Sequence, residues 1–389
     1  MVAEYAYPVL GGISEHVHFL SRELVALGHD VTVVTGNARS PASLRQVDQD
    51  AERDYGYRTR RIGRAVPLPM NGSIARSTLL TMPFATMRRE LAGADVVHAQ
   101  GLIGPVLPLL AASVSQAPVT VGTFHTYVEG GQHWGYRLAH SYLNRVLARL
   151  DRRIAVSDAC VDGLIGAFPG HYDIIPNGVD CERFHPLPLG DVRPQGPPRI
   201  LFVGRLEPRN ALGDLIRAAA QVAGSGRDFV IQVAGDGPTR GVNERLARRL
   251  GIADRIEWLG LIHDDLPARY REATMLAAPC TLASFGVILV EALASGTPIV
   301  CADNVGFRQV IRDGAPGRFV SMRDPNALAA AIRDVLDDEA LRNDWSVRGR
   351  RVVTERYDWP GVARQVEALY RDVATTPGVG AGVVATSTT

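Results

Sequence analysis

The chain contains no lysine, and its 42 basic residues are all arginine. That absence excludes Schiff-base and other lysine-dependent chemistry. Any phosphate clamp must be built from arginine, backbone amides or both. Cysteine is scarce: Cys160, Cys181, Cys280 and Cys301 form no CxxC pair, and no histidine cluster has metal-ligand spacing. They read as buried thiols of a reducing compartment, with no metal site expected. An excess charge is missing too. The formal net charge is +1, which argues against a polyanionic partner for the whole molecule, and no nucleic-acid motif occurs. Long apolar runs are absent: stretches such as 104–114 are too short to span a bilayer, and no signal peptide is visible. The expected location is cytoplasmic.

What is present fits an ordinary globular protein, with 46% hydrophobic and 21% charged residues over 389 positions. That length predicts two domains. The first half alternates short apolar runs with amphipathic segments, the mark of βαβ units. Residues 14–27 predict a helix ending at Gly28. Strands are predicted over 30–35, 95–99, 118–123 and 152–157, with a helix from Asp158, and residues 174–180 close the half. Residues 186–198 carry five prolines and read as a linker. A second series follows: strands over 199–204, 229–235, 256–260 and 275–279, with a helix over 211–223. The fold class is therefore α/β, two Rossmann-like doubly wound domains facing a central cleft, with ligands at the carboxyl ends of the strands. The domain limits are 1–185 and 199–358. Residues 375–389 lack periodicity and predict a disordered tail. Only four residues precede the first loop, short for a central strand, so the natural chain is expected to start upstream.

The most informative stretch is Ala283-Ser284-Phe285-Gly286-Val287 through Glu291 to Gly296-Thr297-Pro298. It predicts a loop, a helix N-capped by Ser284, and a stop before a buried strand. The amides of Phe285, Gly286 and Val287 would open that helix and offer a phosphate site. Here the chain resembles the retaining GT-B-fold glycosyltransferases of the family 4, group 1 type, which include bacterial mannosyl- and glucosyltransferases. Their pattern is Glu, seven residues, Glu around a Phe-Gly core. This chain keeps Glu291 and Phe285-Gly286 and carries Ala283 at the first Glu position. The likeness covers about residues 7–370 and implies that a helix over about 359–373 returns to the first domain.

The resemblance also assigns roles. Gly11-Gly12, before the first helix, would let backbone approach a donor phosphate or acceptor. His125, at a strand end, would contact the transferred sugar and the reaction centre, with Glu129 and His133 on the acceptor side. Arg205, in Gly204-Arg205-Leu206, would clamp the diphosphate with its planar guanidinium. The usual Lys is Asn210, which brings no charge. Arg209 is the neighbour able to compensate. Glu291 would bind the ribose hydroxyls. Ala283 removes an acceptor for sugar hydroxyls, a change on the scale of about 2–3 kcal/mol. Gly235-Asp236-Gly237-Pro238 would wall the nucleotide, unless it is simply a turn, and residues 259–262 would face the base.

The expected activity is retaining transfer of a hexosyl group from a nucleotide diphosphate sugar to a lipid, glycan or small-molecule hydroxyl. It would need no metal or other cofactor. Two rivals stand beside it: a nucleotide-sugar epimerase or phosphorylase on the same architecture, and a non-catalytic nucleotide-sugar-binding module. Residues 76–91 and 137–153 are basic and amphipathic, which suits either a solvated face or peripheral contact with an anionic membrane.

Overall fold

A computed structural model describes residues 1–375 except 10, 38–40, 71–72, 80, 103–105, 128–133, 189–195 and 312–314, with backbone alone for 41–47, 67–70, 73–76 and 134–139. Contacts divide the chain into two units, Met1–Asn177 with Trp359–Thr389, and Gly178–Asp358. The chain thus passes between units at Asn177, ahead of the proline-rich segment 186–198.

The first unit is built on a seven-stranded parallel sheet. Its strands are β1 (Val2–Ala3), β2 (Thr32–Gly36), β3 (Arg58–Ile62), β6 (Val96–Gln100), β7 (Val119–Phe124), β8 (Arg152–Ala155) and β9 (Asp173–Ile174). They lie in the order β3-β2-β1-β6-β7-β8-β9. Between β3 and β6 the chain makes an antiparallel hairpin, β4 (Arg64–Met70) and β5 (Ser73–Leu79). Adjacent strand residues feed opposite faces, as a period of two requires. Ala3, Val33, Val121 and Ile154 pack into one core with Leu20 and Leu24 of the helix Gly12–Ala26 and with Trp359, Val362 and Val366 of the last helix, Trp359–Thr375. Val2, Val34 and Val97 enter a second core with Leu107, Leu110 and Ala111 of the helix Val106–Val114. The last helix therefore belongs to the first unit.

The second unit repeats the plan. Its strands are β10 (Arg199–Val203), β11 (Val230–Ala234), β12 (Ile256–Gly260), β13 (Met275–Ala278), β14 (Ile299–Ala302) and β15 (Arg318–Val320). The order is β12-β11-β10-β13-β14-β15, all parallel. Every residue of β13 and β14 is buried, as expected of a sheet covered on both faces. In each unit the strand order reverses beside the first strand, between β1 and β6 and between β10 and β13. The crevice outside the strand ends at such a point is where doubly wound sheets take ligands.

Candidate active site

In the second unit the chain leaves β10 at Gly204 and immediately places Arg205, Leu206 and Glu207 at the switch point. Leu206 is fully buried. Its amide donates to Asp236 O at 3.0 Å, and its carbonyl accepts from Thr239 N at 3.0 Å. The Gly-rich turn after β11 makes this close packing possible. A Cβ on Gly235 would lie 2.0 Å from Gly204 O, and one on Gly237 would lie 2.6 Å from Leu206 O. The two glycines thus hold the loop carrying Arg205.

Glu207 is only 5% exposed, and its two oxygens take one arginine each. Arg205 Nε lies 3.0 Å from Oε1, and Arg209 Nε lies 3.2 Å from Oε2. Both guanidinium groups remain about half exposed. The two arginines named from sequence are therefore gathered by one buried carboxylate, a residue sequence reasoning missed. Its signal was the alternation Arg-Leu-Glu-Pro-Arg. Asn210 acts as a brace: its Nδ2 donates to Arg205 O at 2.6 Å, and its Oδ1 accepts from Cys280 Sγ at 3.3 Å. Thr281 N also donates to Arg209 O at 2.8 Å, so the loops after β10 and β13 are sewn together.

The helix after β13 runs Val287–Ala294, and its N-cap is Gly286 with φ 128°, not Ser284. Phe285 causes the shift. It is pulled into the core, 2% exposed and edge-on to Tyr357, so the chain must turn one residue later through a conformation that favours glycine. A Cβ on Gly286 would also lie 2.9 Å from Phe307 Cδ1. The amides opening the helix are thus those of Val287 and Ile288, while Leu289 N already donates to Gly286 O at 2.9 Å. Behind the loop, Asn304 Nδ2 donates to Cys280 O at 2.8 Å, and a Cβ on Gly306 would lie 2.2 Å from Ala283 O. Asn304 and Gly306 were not singled out from sequence. Glu291, one turn into the helix, is buried, and Tyr270 OH donates to its Oε2 at 2.8 Å. Gly260 and the exposed Leu261 lie at the end of β12.

In the first unit the helix Gly12–Ala26 opens at Gly11 without a side-chain cap. Among the described residues, a Cβ on Gly12 would meet no atom within 4 Å and one on Gly11 only Ser14 Oγ at 3.7 Å, so space demands neither glycine, while the φ of 157° at Gly11 disfavours a side chain there. The helix Val106–Val114 differs. Glu4 Oε2 accepts from Val106 N and Leu107 N, both at 3.0 Å, and a resident carboxylate occupies this anion-favouring helix end.

His125 follows β7 and is partly exposed, with Nε2 2.8 Å from Gln100 Oε1. Gln100 Nε2 lies 3.2 Å from His98 Nε2, and His98 Nδ1 lies 2.6 Å from Tyr370 OH. His16 is buried edge-on to His125, with ring centroids 4.6 Å apart, and its Nδ1 lies 2.9 Å from Asn177 Oδ1. Burial holds His16 down to about 4. Burial, then the neighbouring His16 and His98, hold His125 well below the usual imidazole range. Burial thus favours the neutral form of His16, His98 and His125.

Glu129 and His133 lie outside the described residues. Of the basic segments, 76–91 is not one helix: β5 ends at Leu79 and the helix is Pro83–Glu90. Pro83 explains the late start, since its ring suits the first helical turn but not its interior. Segment 137–153 likewise divides into the helix Trp134–Leu147 and β8. All four cysteines are buried and unbridged. Among the described residues, no group of three His, Cys, Asp or Glu side chains could hold a metal, and no helix is long and apolar enough to cross a membrane.

Comparison with known proteins adds independent findings. The family described as Glycosyl transferases group 1 matches residues 191–352, and Glycosyltransferase Family 4 matches residues 10–183. A phosphatidyl-myo-inositol mannosyltransferase of Mycolicibacterium smegmatis is 33% identical, covering 98% of this chain and 94% of its own. A glycogen synthase of Mycobacterium tuberculosis is 30% identical, covering 94% and 92%. The crystal structure of Anabaena HepE in complex with UDP-glucose superposes with a TM-score of 0.73 at 17% identity, covering 95% and 98%.

Proposed function

The chain belongs to the group 1, family 4 glycosyltransferases, and from that premise we propose that it moves a hexosyl group from a nucleotide diphosphate sugar to a hydroxyl acceptor with retention of configuration. It is an enzyme of glycosyl transfer on the GT-B fold. The observation that carries the finer reading is the pooling of Arg205 and Arg209 on Glu207 at the switch point of the second unit. Two guanidinium groups on the loop after β10, and the unpaired first amides of the helix after β13, to whose preceding loop that loop is bonded, both favour a diphosphate. As the sugar leaves, charge develops on the diphosphate, and groups already in place stabilise it without reorganising. Glu291, held by Tyr270, takes the ribose hydroxyls. After Ser284, Phe285 and Gly286, the amides of Val287 and Ile288 meet the phosphates through backbone, so Ala283 does not affect that contact. Within the first unit, Gly11-Gly12 and His125 are the groups that the resemblance assigns to substrate, while the helix end at Val106 is already neutralised by Glu4. No metal or other cofactor is required, because arginine and amides carry the counter-charge. The leaving phosphate itself takes the acceptor's proton.

A lipid acceptor is favoured. Leu79 at the end of β5, Met82 in the turn and Phe84 on the helix Pro83–Glu90 are 61%, 75% and 54% exposed, and Arg88 and Arg89 follow on that helix, a combination that suits an anionic membrane surface. The mannosyltransferase relative is named for a phosphatidyl-myo-inositol acceptor, which agrees with this reading. The protein would then act from the cytoplasm, peripherally at the membrane.

A thermal-shift screen of UDP- and GDP-linked hexoses tests the donor. A ligand at 100 times its dissociation constant adds about 2.7 kcal/mol of stability. Arg205→Ala is expected to remove most of that shift, and an unchanged shift would refute the clamp. Donor binding without slow hydrolysis or transfer would contradict turnover, and epimerised sugar formed without acceptor would favour the epimerase.

A further inference from the structure

We propose that Gln100 is a positioning residue: it fixes His125 as the Nε2–H tautomer and so leaves Nδ1 as a hydrogen-bond acceptor for a substrate hydroxyl. The proposal rests on the reading of His125 as a substrate-facing group and adds what kind of group it faces.

The argument follows the hydrogen-bond chain. Gln100 is fully buried at the end of β6, and His98 is 1% exposed. The Gln100 amide has one oxygen and one NH2, and both are engaged. Its Oε1 can only accept, so the His125 nitrogen 2.8 Å away must carry the proton. Its Nε2 can only donate, so His98 Nε2, 3.2 Å away, must be the bare nitrogen. Thr123 Oγ1 lies 2.6 Å from that same nitrogen and donates to it as well. His98 then carries its proton on Nδ1 and donates to Tyr370 OH at 2.6 Å. Gln100 Nε2 and Thr123 Oγ1 thus share the one lone pair of His98 Nε2. The Gln100 amide sets the direction of the whole relay: with its oxygen toward His125 the protons sit on His125 Nε2 and His98 Nδ1, whereas the opposite amide orientation would place them on His125 Nδ1 and His98 Nε2 with Tyr370 donating.

The groups facing His125 keep it uncharged. His16 from the first helix lies edge-on, and His98 stands behind Gln100. Burial first, then His16 and His98, disfavour an added proton on the His125 imidazole. A neutral ring whose Nε2–H is committed to Gln100 keeps Nδ1 as its one lone-pair acceptor. Such a group recognises a hydroxyl and has no attraction for a phosphate. It thereby divides the labour: hydroxyls at His125, phosphates at Arg205 and Arg209.

The test is a long-range proton–nitrogen spectrum of the full-length protein labelled with 15N-histidine, with His125→Ala identifying the His125 signals. At pH 7 His125 is expected as the Nε2–H tautomer. An Nδ1–H form or an even mixture would overturn the proposal, and this measurement needs no Gln100 variant to fold. Gln100→Glu keeps the acceptor but adds a charge that stabilises the imidazolium. The His125 midpoint should rise by at least one pH unit, and the acid limb of kcat should move up with it while KM for the donor changes less than twofold. Turnover is read as hydrolysis of the nucleotide sugar giving the largest thermal shift. Gln100→Leu should lower kcat at least tenfold with no move of the acid limb. A Gln100→Glu midpoint equal to wild type sinks the role of Gln100. Full turnover in His125→Ala sinks instead the placement of His125 beside substrate, whatever the tautomer.

Discussion

Glu207 shows how one buried carboxylate changes what two exposed arginines can do. Each pair alone is a partly solvated contact worth about 0.2–1 kcal/mol. Their sum hardly matters for folding but fixes both guanidinium groups in one place. Glu207→Gln is therefore expected to lower stability by no more than about 1–2 kcal/mol, yet to weaken donor binding roughly tenfold in calorimetry, since each 1.4 kcal/mol is a factor of ten. His16 makes a second residue-scale prediction. Its folded value of about 4 lies below the 6.5 of a free imidazole, so between those values the unfolded chain binds more protons. Its contribution is fully present above pH 6.5 and is lost as pH falls toward 4, an effect of roughly 3 kcal/mol for this residue. Urea titrations at pH 7 and pH 4.5 check it, and His16→Gln should flatten the slope. Arg205, Arg209, His125 and Glu291 could be named from sequence because they sit in short motifs. Their partners could not. Tyr270 meets Glu291 across 21 positions and Tyr370 meets His98 across 272, and no local pattern announces such contacts.

At the scale of elements, the strands were plain because parallel strands buried on both faces read as unbroken apolar runs. β7, β11 and β13 all fall where those runs predicted. The hairpin β4–β5 and the helix Pro41–Tyr55 were not foreseen: Pro67 and Pro69 break the strand signature, and the helix is largely polar. The start of the helix after β13 was misplaced because capping chemistry favoured Ser284, whereas burial of Phe285 decided it. The glycine turn after β11 carries the sharpest element-scale prediction. Gly235→Ala must move the β10 loop away from a 2.0 Å contact while also straining a φ of 142°. The expected cost is about 3 kcal/mol, read as a fall in melting temperature. Donor affinity should fall with it, because the displaced backbone is the one bearing Arg205.

For the whole molecule, the two-domain division was legible from length and from two successive βαβ series. The point of passage was not, because Asn177 is tied back to His16 by a contact that sequence does not display. The last helix is integral to the first unit. Trp359, Val362, Val366 and Tyr370 are buried there, and Phe19 stacks on Trp359 with centroids 5.8 Å apart. Truncation before Trp359 is expected to leave the first unit unfolded, with protease digestion sparing a fragment near Gly178–Asp358. This interleaving sets an order in time during translation. The ribosome emits residues up to Asn177 long before the segment that seals their core, so the later-made globule has its whole sequence while the earlier one still lacks its closing helix.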